Sequence, residues 1–299
     1  MIKVSRLGHA TFETPDLERA VDYYVQVIGL FVAARDKSRV FLSTQLGQLA
    51  VELRKGEHAR CIGLSFEVPP ESGLRELAGE LAGLGVTADV LEDDVPGIPK
   101  MITFTDPKGT RIHLFSKWHP LTRHWNVSGV GPLKLGHLAF TVPEPKAIAN
   151  FYQNILGFRV SDWIEDFFVF LRCNADHHTV NFIRGPQSEL HHFAFELRDT
   201  AHVHQACDLL GQRNIPIDWG PVRLGPGHNV GIFHRNADEQ VVELYSELDQ
   251  MKDEALGYFD PRPWHRDQPQ RPKTWLRTQS TIWGPQPPPL LRGPGAPIK

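Results

Sequence analysis

The sequence is poor in cysteine, in long hydrophobic runs and in net charge, and each shortage excludes a class of protein. Three scattered cysteines among 299 residues do not form a disulfide framework and are typical of a reducing cytoplasm. No apolar run approaches the roughly 20 residues of a membrane span, and the N-terminus lacks the apolar segment of a signal peptide. A formal net charge of −3 gives no overall field that favours nucleic acid. We therefore expect a cytoplasmic protein with neither a membrane nor a nucleic-acid partner.

Histidine is plentiful, with 15 residues, and several histidines lie in short segments that are typical of buried strands. His137 lies in LGHLAF, the pair His191–His192 begins HHFAFEL, and Glu243 lies in VVELY. A glutamate flanked by aliphatic residues is costly to bury unless a partner compensates its charge. Two imidazoles and one carboxylate on adjacent strands would provide three ligands for a divalent metal and leave coordination positions open. Because successive strand residues point to opposite faces, only one of the paired histidines is expected to face the metal.

The chain contains an internal duplication. Residues 8–16, GHATFETPD, recur as residues 136–144, GHLAFTVPE. Two further strand segments, starting at residues 63 and 104, recur at residues 192 and 234, so the three offsets are 128, 129 and 130 residues. A nearly constant offset across several elements indicates duplication. Each half is predicted to run strand, helix, strands, strand, helix, strands, with second helices at Leu74–Leu84 and Ala201–Arg213.

These patterns divide the chain into three parts. We expect an N-terminal module over residues 1–120, a C-terminal module over residues 132–248, and a polar connector near residues 119–134. The tail, residues 249–299, is rich in proline, arginine and tryptophan and cannot build its own core. It is either a disordered end or an arm that lies across the body or across a neighbouring subunit. Its tryptophans, Trp264, Trp275 and Trp283, favour the arm.

The duplicated motif, GH-x-x-F followed by an aromatic pair, a helix-ending glycine, HHFAFEL and VELY, resembles the vicinal oxygen chelate superfamily. More narrowly, it resembles the two-domain extradiol ring-cleaving catechol dioxygenases. The resemblance implies an α+β fold in which paired βαβββ units form a cupped mixed sheet. It also implies a small aromatic diol as substrate, O2 as co-substrate, a homo-oligomer, and Fe(II) in the C-terminal cup. Mn(II) accepts the same ligands, so the choice between the two metals stays open.

The resemblance assigns roles to individual residues. It implies that His137, His192 and Glu243 hold the metal, and that His191 points to the other face of the sheet as a structural residue. His178 matches the family's acid–base and oxygen-stabilising histidine, with the neighbouring His177 as the less favoured choice. An imidazole suits that role because it titrates near neutrality and can pass protons between a phenol and an oxygen intermediate.

The first module lacks an equivalent ligand set. The positions aligned with the three ligands are His9, Gly63 and His113, so glycine replaces one histidine and histidine replaces the carboxylate. The resemblance therefore implies a non-catalytic N-terminal module, in which His9 is a relic or a packing residue.

Two positions depart from the family pattern. Phe233 stands where the family has a tyrosine, and Leu224 stands where it has a histidine. His228, in the loop sequence GPGHN, is the preferred candidate for a substitute donor at the active site, with His234 as the second choice. These departures bear on the substrate and the rate more than on the class of reaction.

Two other functions share the same ligand chemistry. A metal-dependent isomerase or lyase of the glyoxalase type would use the chelate without oxygen, but such modules generally draw ligands from both halves of a paired cup. A non-catalytic binding protein is disfavoured because all three ligands are retained. Four aromatic residues are candidates either for the wall of a substrate pocket or for ordinary core packing: Trp163, Phe167, Phe168 and Phe170.

Overall fold

The computed structural model describes residues 2–121 and 128–292, which form two large mixed β-sheets with helices packed against them. Residues 122–127 of the predicted connector and residues 293–299 of the tail lie outside the described residues. Among the described helices, none combines the length and the apolar character that crossing a bilayer requires.

The first sheet has eight strands. They are β1 (Arg6–Thr14), β2 (Phe31–Arg35), β3 (Arg39–Ser43), β4 (Leu49–Lys55), β5 (Arg60–Glu67), β6 (Asp89–Val95), β7 (Ile98–Thr105) and β8 (Arg111–Phe115). Its helices are α1 (Leu17–Tyr23), continued by a π-helical turn (Tyr24–Ile28), and α2 (Leu74–Gly83). The predicted second helix is thus confirmed to within one residue.

The second sheet is built from eight strands of the C-terminal module and two of the tail. The eight are β9 (Lys134–Val142), β10 (Arg159–Ile164), β11 (Phe168–Arg172), β12 (Val180–Arg184), β13 (Glu189–Glu196), β14 (Ile217–Leu224), β15 (Val230–Arg235) and β16 (Val241–Ser246). The helices are α3 (Pro145–Leu156) and α4 (Thr200–Gln212). The tail adds β17 (Met251–Asp253), β18 (Tyr258–Phe259), β19 (Lys273–Trp275) and β20 (Thr281–Trp283), with short 3-10 turns at Arg277–Gln279 and Pro289–Leu291.

The order of strands repeats between the two sheets. The first runs β2-β3-β4-β1-β5-β8-β7-β6, and the second runs β10-β11-β12-β9-β13-β16-β15-β14 between the two tail strands. Adding eight to each strand number of the first sheet gives the second. The duplication and the α+β fold of paired βαβββ units are therefore confirmed.

Glycines end the first helix of each half, as the sequence predicts. Gly29 and Gly157 have φ angles of +86° and +73°, a left-handed conformation that side chains disfavour and that terminates a helix. Asp16 caps the start of α1 by accepting a hydrogen bond from the backbone of Arg19. Helix α1 packs against β4 of the first sheet, and α3 packs against β9 to β12 of the second.

The two modules share one hydrophobic cluster, so neither sheet buries its core alone. The Phe12 and Phe193 rings meet across the boundary at 4.8 Å between centroids. The Tyr23 hydroxyl lies 2.7 Å from Nε2 of His234, and the Tyr152 hydroxyl donates to Asp106 at 2.9 Å. These contacts tie the helix of each module to the sheet of the other. The exact module limits remain a prediction.

The tail lies against the second sheet and joins both of its outer strands. Strand β19 pairs with β10 in parallel, and β20 pairs with β14 in antiparallel fashion. Trp275 is buried, whereas Trp264 and Trp283 are 40% and 48% exposed and lie near the guanidinium group of Arg223. We call residues 249–292 the arm.

A buried cluster of His228, Asp249 and His265 fastens the base of the arm. Asp249 contacts Nδ1 of His228 at 2.7 Å and Nε2 of His265 at 3.2 Å, one through each carboxylate oxygen. The backbone N–H of Arg262 donates to Nδ1 of His265, so the proton of a neutral His265 ring lies on Nε2. A metal ligand would need its lone pair at that nitrogen. The contacts therefore describe a hydrogen-bonded clasp.

Because of the clasp, we expect the free energy of unfolding to depend on pH. Burial alone would raise the pKa of Asp249, but hydrogen bonds from His228 and His265 outweigh it and lower the pKa from 3.8 to about 2. A depressed carboxyl pKa stabilises the fold above pH 3.8, and the contribution fades as the pH falls towards 2. Asp249→Asn should lower the free energy of unfolding by about 2 kcal/mol at pH 7. The deficit should shrink below pH 4.

Urea unfolding of the full chain at pH 7, 5 and 3.5 measures this difference. Asp260→Asn is the control, because Asp260 is 46% exposed and lies 4.0 Å from Lys252 at the surface. A deficit for Asp249→Asn that stays constant across these pH values would contradict the assignment to this carboxylate.

Candidate metal centre

Three neighbouring strands of the second sheet bring the predicted ligands together. Strand β13 lies between β9 and β16, and Ala194 on β13 pairs with His137 on one side and Glu243 on the other. His192 lies two residues before Ala194 and so shares its face of the sheet. The small methyl group of Ala194 leaves space between the three longer side chains.

The donor atoms of this triad converge. Nε2 of His137 lies 2.9 Å from Oε2 of Glu243, and Nε2 of His192 lies 3.6 Å from the same oxygen. Two ligands that bind one ion at right angles, each at about 2.1 Å, are about 3 Å apart. All three residues are buried. The donor set and its spacing therefore fit a 2-His-1-carboxylate metal site.

The environment keeps the site ready to bind a cation. Burial and the neighbouring His191 and His137 hold the pKa of His192 well below its usual value. A neutral imidazole is the form that ligates metal, so binding at His192 requires no loss of a proton near pH 7.

Asn229 and Gly231 orient the carboxylate. The amide of Asn229, which is fully buried, donates to Oε1 of Glu243 at 2.7 Å and leaves Oε2 directed at the two histidines. A Cβ at Gly231 would lie 2.8 Å from Oε1, so a larger residue would displace the carboxylate. Sequence reasoning missed both residues, although Asn229 directly follows the loop histidine His228.

His191 does not lie on the opposite face of the sheet, and that prediction was wrong. The pairing of β13 with β9 shifts register between Leu190 and His192, which breaks the alternation of faces. Both His191 and His192 line the same cavity, with their Nδ1 atoms 2.6 Å apart. When Nε2 of His192 binds a metal, its Nδ1 carries the hydrogen and lies within hydrogen-bond distance of Nδ1 of His191. His191 is thus placed to fix the orientation of the ligand ring.

His191→Phe should weaken metal binding by roughly 10- to 100-fold, the usual cost of removing a group that hydrogen-bonds to a ligand. Phenylalanine fills the space but cannot accept the proton of His192. A chelator competition with the full chain measures the metal dissociation constant. His58→Phe, at an exposed histidine of the first module, serves as the control. Equal metal affinities for both variants and the native chain would show that His191 does not support the metal site.

His178 lies beside the triad. Its ring centroid is 4.3 Å from that of His137 and 5.3 Å from that of Phe170, and it lines the same cavity. Burial and the nearby His137, His177 and His192 lower the pKa of His178 well below its usual value. The ring is therefore an uncharged base next to the triad.

The predicted substitute donors lie elsewhere. His228 belongs to the arm clasp and is not among the residues that line the cavity, and His234 contacts Tyr23 between the modules. Phe233 and Leu224 do line the cavity. The role of His228 as a donor to substrate stays a prediction that its placement does not favour.

The cavity has a volume of about 950 Å³ and reaches from the triad to the arm. Its walls are largely aromatic and apolar, with polar groups from the arm at one side. The residues beyond the triad and His178 include Ile164, Phe167, Phe168, Phe170, Trp219, Leu224, Phe233, Arg277, Thr278 and Ser280. Of the four aromatic candidates, Trp163 does not line this cavity and packs against the main hydrophobic cluster.

The first module has no comparable centre in its described residues. The rings of His9 and His113 are 6.5 Å apart and stacked, and burial lowers the pKa of each to about 3. Glu52, the buried carboxylate nearby, already pairs with Thr11 and Arg54. The cavity at His9 measures about 10 Å³, too small for an aromatic substrate.

Comparisons with known proteins agree with this geometry. Residues 134–253 match the model of the Glyoxalase/Bleomycin resistance protein/Dioxygenase superfamily. The biphenyl-2,3-diol 1,2-dioxygenase of Paraburkholderia xenovorans is 30% identical over 230 residues, which cover 69% of this chain and 76% of that protein. The chain belongs to the extradiol ring-cleaving dioxygenases of this superfamily.

Other relatives of this dioxygenase carry related names. The metapyrocatechase of Pseudomonas sp. strain CF600 is 26% identical over 251 residues, covering 77% of this chain and 82% of that protein. The iron-dependent extradiol dioxygenase of Rhodococcus jostii is 23% identical and covers 95% and 97% of the two chains. The Mn(II)-bound glyoxalase of Novosphingobium aromaticivorans superposes with a TM-score of 0.83 at 23% identity, covering 99% and 97%. That likeness establishes the fold alone.

Proposed function

We propose that this protein cleaves the ring of a catecholic substrate beside its two vicinal hydroxyls, at Fe(II) held by His137, His192 and Glu243. The observation that carries the proposal is the convergence of these donors on one wall of an aromatic cavity. All three ligands come from the C-terminal module, which supports ring cleavage over a glyoxalase-type reaction with ligands from both modules.

The metal and the side chains of the protein have separate roles in the proposed reaction. When bound, Fe(II) supplies open coordination positions for a vicinal diol and for dioxygen. His178, uncharged and adjacent to the triad, accepts the proton of a substrate hydroxyl and returns a proton to the product. The apolar walls exclude water from these transfers. Mn(II) fits the same donors and is the alternative metal.

The cavity supports a substrate larger than catechol itself. Phe168 and Phe170 stack at 4.2 Å, and Trp219 stacks on Phe233 at 4.7 Å, so two aromatic surfaces border the space. A volume of about 950 Å³ is at the upper end for small-molecule sites. We propose an aromatic diol with a bulky apolar substituent.

Cellular context follows from other features. A cytoplasmic location is supported by three cysteines that form no disulfide. A homo-oligomer is supported by exposed apolar side chains on the arm, such as Leu276, Ile282 and Trp283.

Anaerobic loading with Fe(II), followed by a panel of diols and then oxygen, tests the reaction. Catechol, 3-methylcatechol and 2,3-dihydroxybiphenyl should each consume oxygen and give a yellow product, with the biaryl turned over best. Hydroquinone, whose hydroxyls cannot chelate one ion, is the control. Absence of oxygen uptake with every diol, for protein loaded with Fe(II) and with Mn(II), would rule the function out.

A further inference from the structure

A buried chain of hydrogen-bonding groups leads from the arm to His178. It runs from Trp275 and Lys273 through Asp162 and His177. We infer that Asp162 and His177 are positioning residues that fix the tautomer of His178, so that its Nε2 presents a lone pair to the cavity. The inference rests on the proposed role of His178 as the base that receives the substrate proton.

The proton positions follow from the contacts in order. Nε2 of His177 lies 2.9 Å from Oδ2 of Asp162, and both side chains are fully buried. A carboxylate can only accept, so Nε2 of His177 carries a hydrogen, and in the neutral ring Nδ1 carries the lone pair. Nδ1 of His178 lies 3.0 Å from that lone pair and must donate to it. The hydrogen of a neutral His178 is then on Nδ1, which leaves Nε2 as an acceptor.

The arm fixes the carboxylate at the start of the chain. The Trp275 indole donates to Oδ2 of Asp162 at 2.6 Å, and the Lys273 backbone N–H donates to Oδ1 at 2.8 Å. Both oxygens are therefore held, and Asp162 cannot rotate away from His177.

Other contacts hold His177 in place. Its backbone N–H donates to the carbonyl of Asp249 at 2.8 Å, and its ring packs against Phe259 at 4.9 Å between centroids. Phe259 and Asp249 both belong to the arm. The arm thus positions every group behind the base, in addition to covering the cavity.

The tautomer matters because a general base needs its lone pair at the nitrogen that meets the substrate. With the hydrogen on Nε2, His178 could only donate at the cavity, and removal of a hydroxyl proton would require the ring to rearrange first. The buried chain sets the reactive form before substrate arrives.

The proposal is tested by NMR of the full chain with ¹⁵N-labelled histidine, metal-free and at pH 7.5. Long-range ¹H–¹⁵N correlations report which ring nitrogen carries hydrogen. We expect the Nε2–H tautomer for His177 and the Nδ1–H tautomer for His178. An Nε2–H tautomer for His178 in the native protein would overturn the inference. This readout needs no turnover, so it stands apart from success or failure of the ring-cleavage assay.

Asp162→Asn tests the inference by kinetics. The amide replaces one of the two acceptor oxygens with a donor, so the side chain no longer fixes the hydrogen on Nε2 of His177, and kcat should fall by at least about 10-fold while KM and metal content stay within about 2-fold. Asp166→Asn, at an 81% exposed carboxylate on the adjoining turn, is the matched control. An unchanged tautomer and kcat in Asp162→Asn would also overturn the inference.

Trp275→Phe is a second test of the same inference, for use if Asp162→Asn does not fold. It removes one donor that holds Asp162 and keeps a buried ring, so the carboxylate should turn away from His177 in part of the population, where the tautomer is no longer fixed, with a smaller loss of kcat. Native tautomers and a native kcat in Trp275→Phe would show that the arm does not set the tautomer of His178.

Discussion

We expect His137→Asn to abolish metal binding at the centre and the aligned change in the first module, His9→Asn, to leave it intact. The reason is that His137 supplies a donor 2.9 Å from Glu243, while His9 has no such partners. Removing a ligand should cost more than the roughly 10- to 100-fold in affinity that follows loss of a supporting hydrogen bond. Metal content after dialysis, by elemental analysis, and oxygen uptake measure the effect.

The duplication supplies the control for this experiment. Both histidines follow a glycine in the first strand of their module, and both are buried to 1% exposure. We therefore expect the two substitutions to lower the stability of the fold by similar amounts, which thermal unfolding measures. Metal retention by His137→Asn, or equal loss from His9→Asn, would show that the ion is not held by the proposed triad.

We expect His178→Asn to retain its metal but to lose about 10²- to 10⁴-fold in kcat, the usual contribution of a general acid–base group. The substitution removes the titratable ring beside the triad without removing a ligand. Single-turnover kinetics with 2,3-dihydroxybiphenyl and Fe(II)-loaded protein measure the chemical step.

His204→Asn, at an exposed histidine on α4, controls for the substitution itself. Anaerobic substrate binding should be nearly unchanged in His178→Asn, since the loss falls on proton transfer. A kcat near the native value would assign the proton transfers to another group.

The repeat made most of the fold predictable from the sequence. The recurrence of GH-x-x-F, of the helix-ending glycines Gly29 and Gly157, and of the later strand segments gave two copies of one unit. The candidate ligands were predicted because His137, the pair His191–His192 and Glu243 lie in short strand-like segments, and the resemblance to the extradiol dioxygenases selected His192 from the pair. Local sequence carries this information, since strand period and helix ends depend on adjacent residues.

What the sequence could not provide depends on contacts between distant residues. The alternation rule placed His191 on the wrong face because a register shift in β13 depends on the partner strand. Asp162 is 113 residues from Trp275 in the chain, and no local pattern links them. Asn229 likewise acquires its role only when β15 and β16 pair beside Glu243.

The tail strands also cover the two edges of the second sheet against strand pairing with another molecule. Without them, β10 and β14 would each end the second sheet with unpaired backbone groups, which are templates for strand addition by another molecule. Because β19 and β20 are three residues long, they cap these edges without offering long replacements. We therefore expect proteolytic loss of the tail to cause aggregation through the exposed edges, in addition to the loss of the contacts that hold Asp162 and His177.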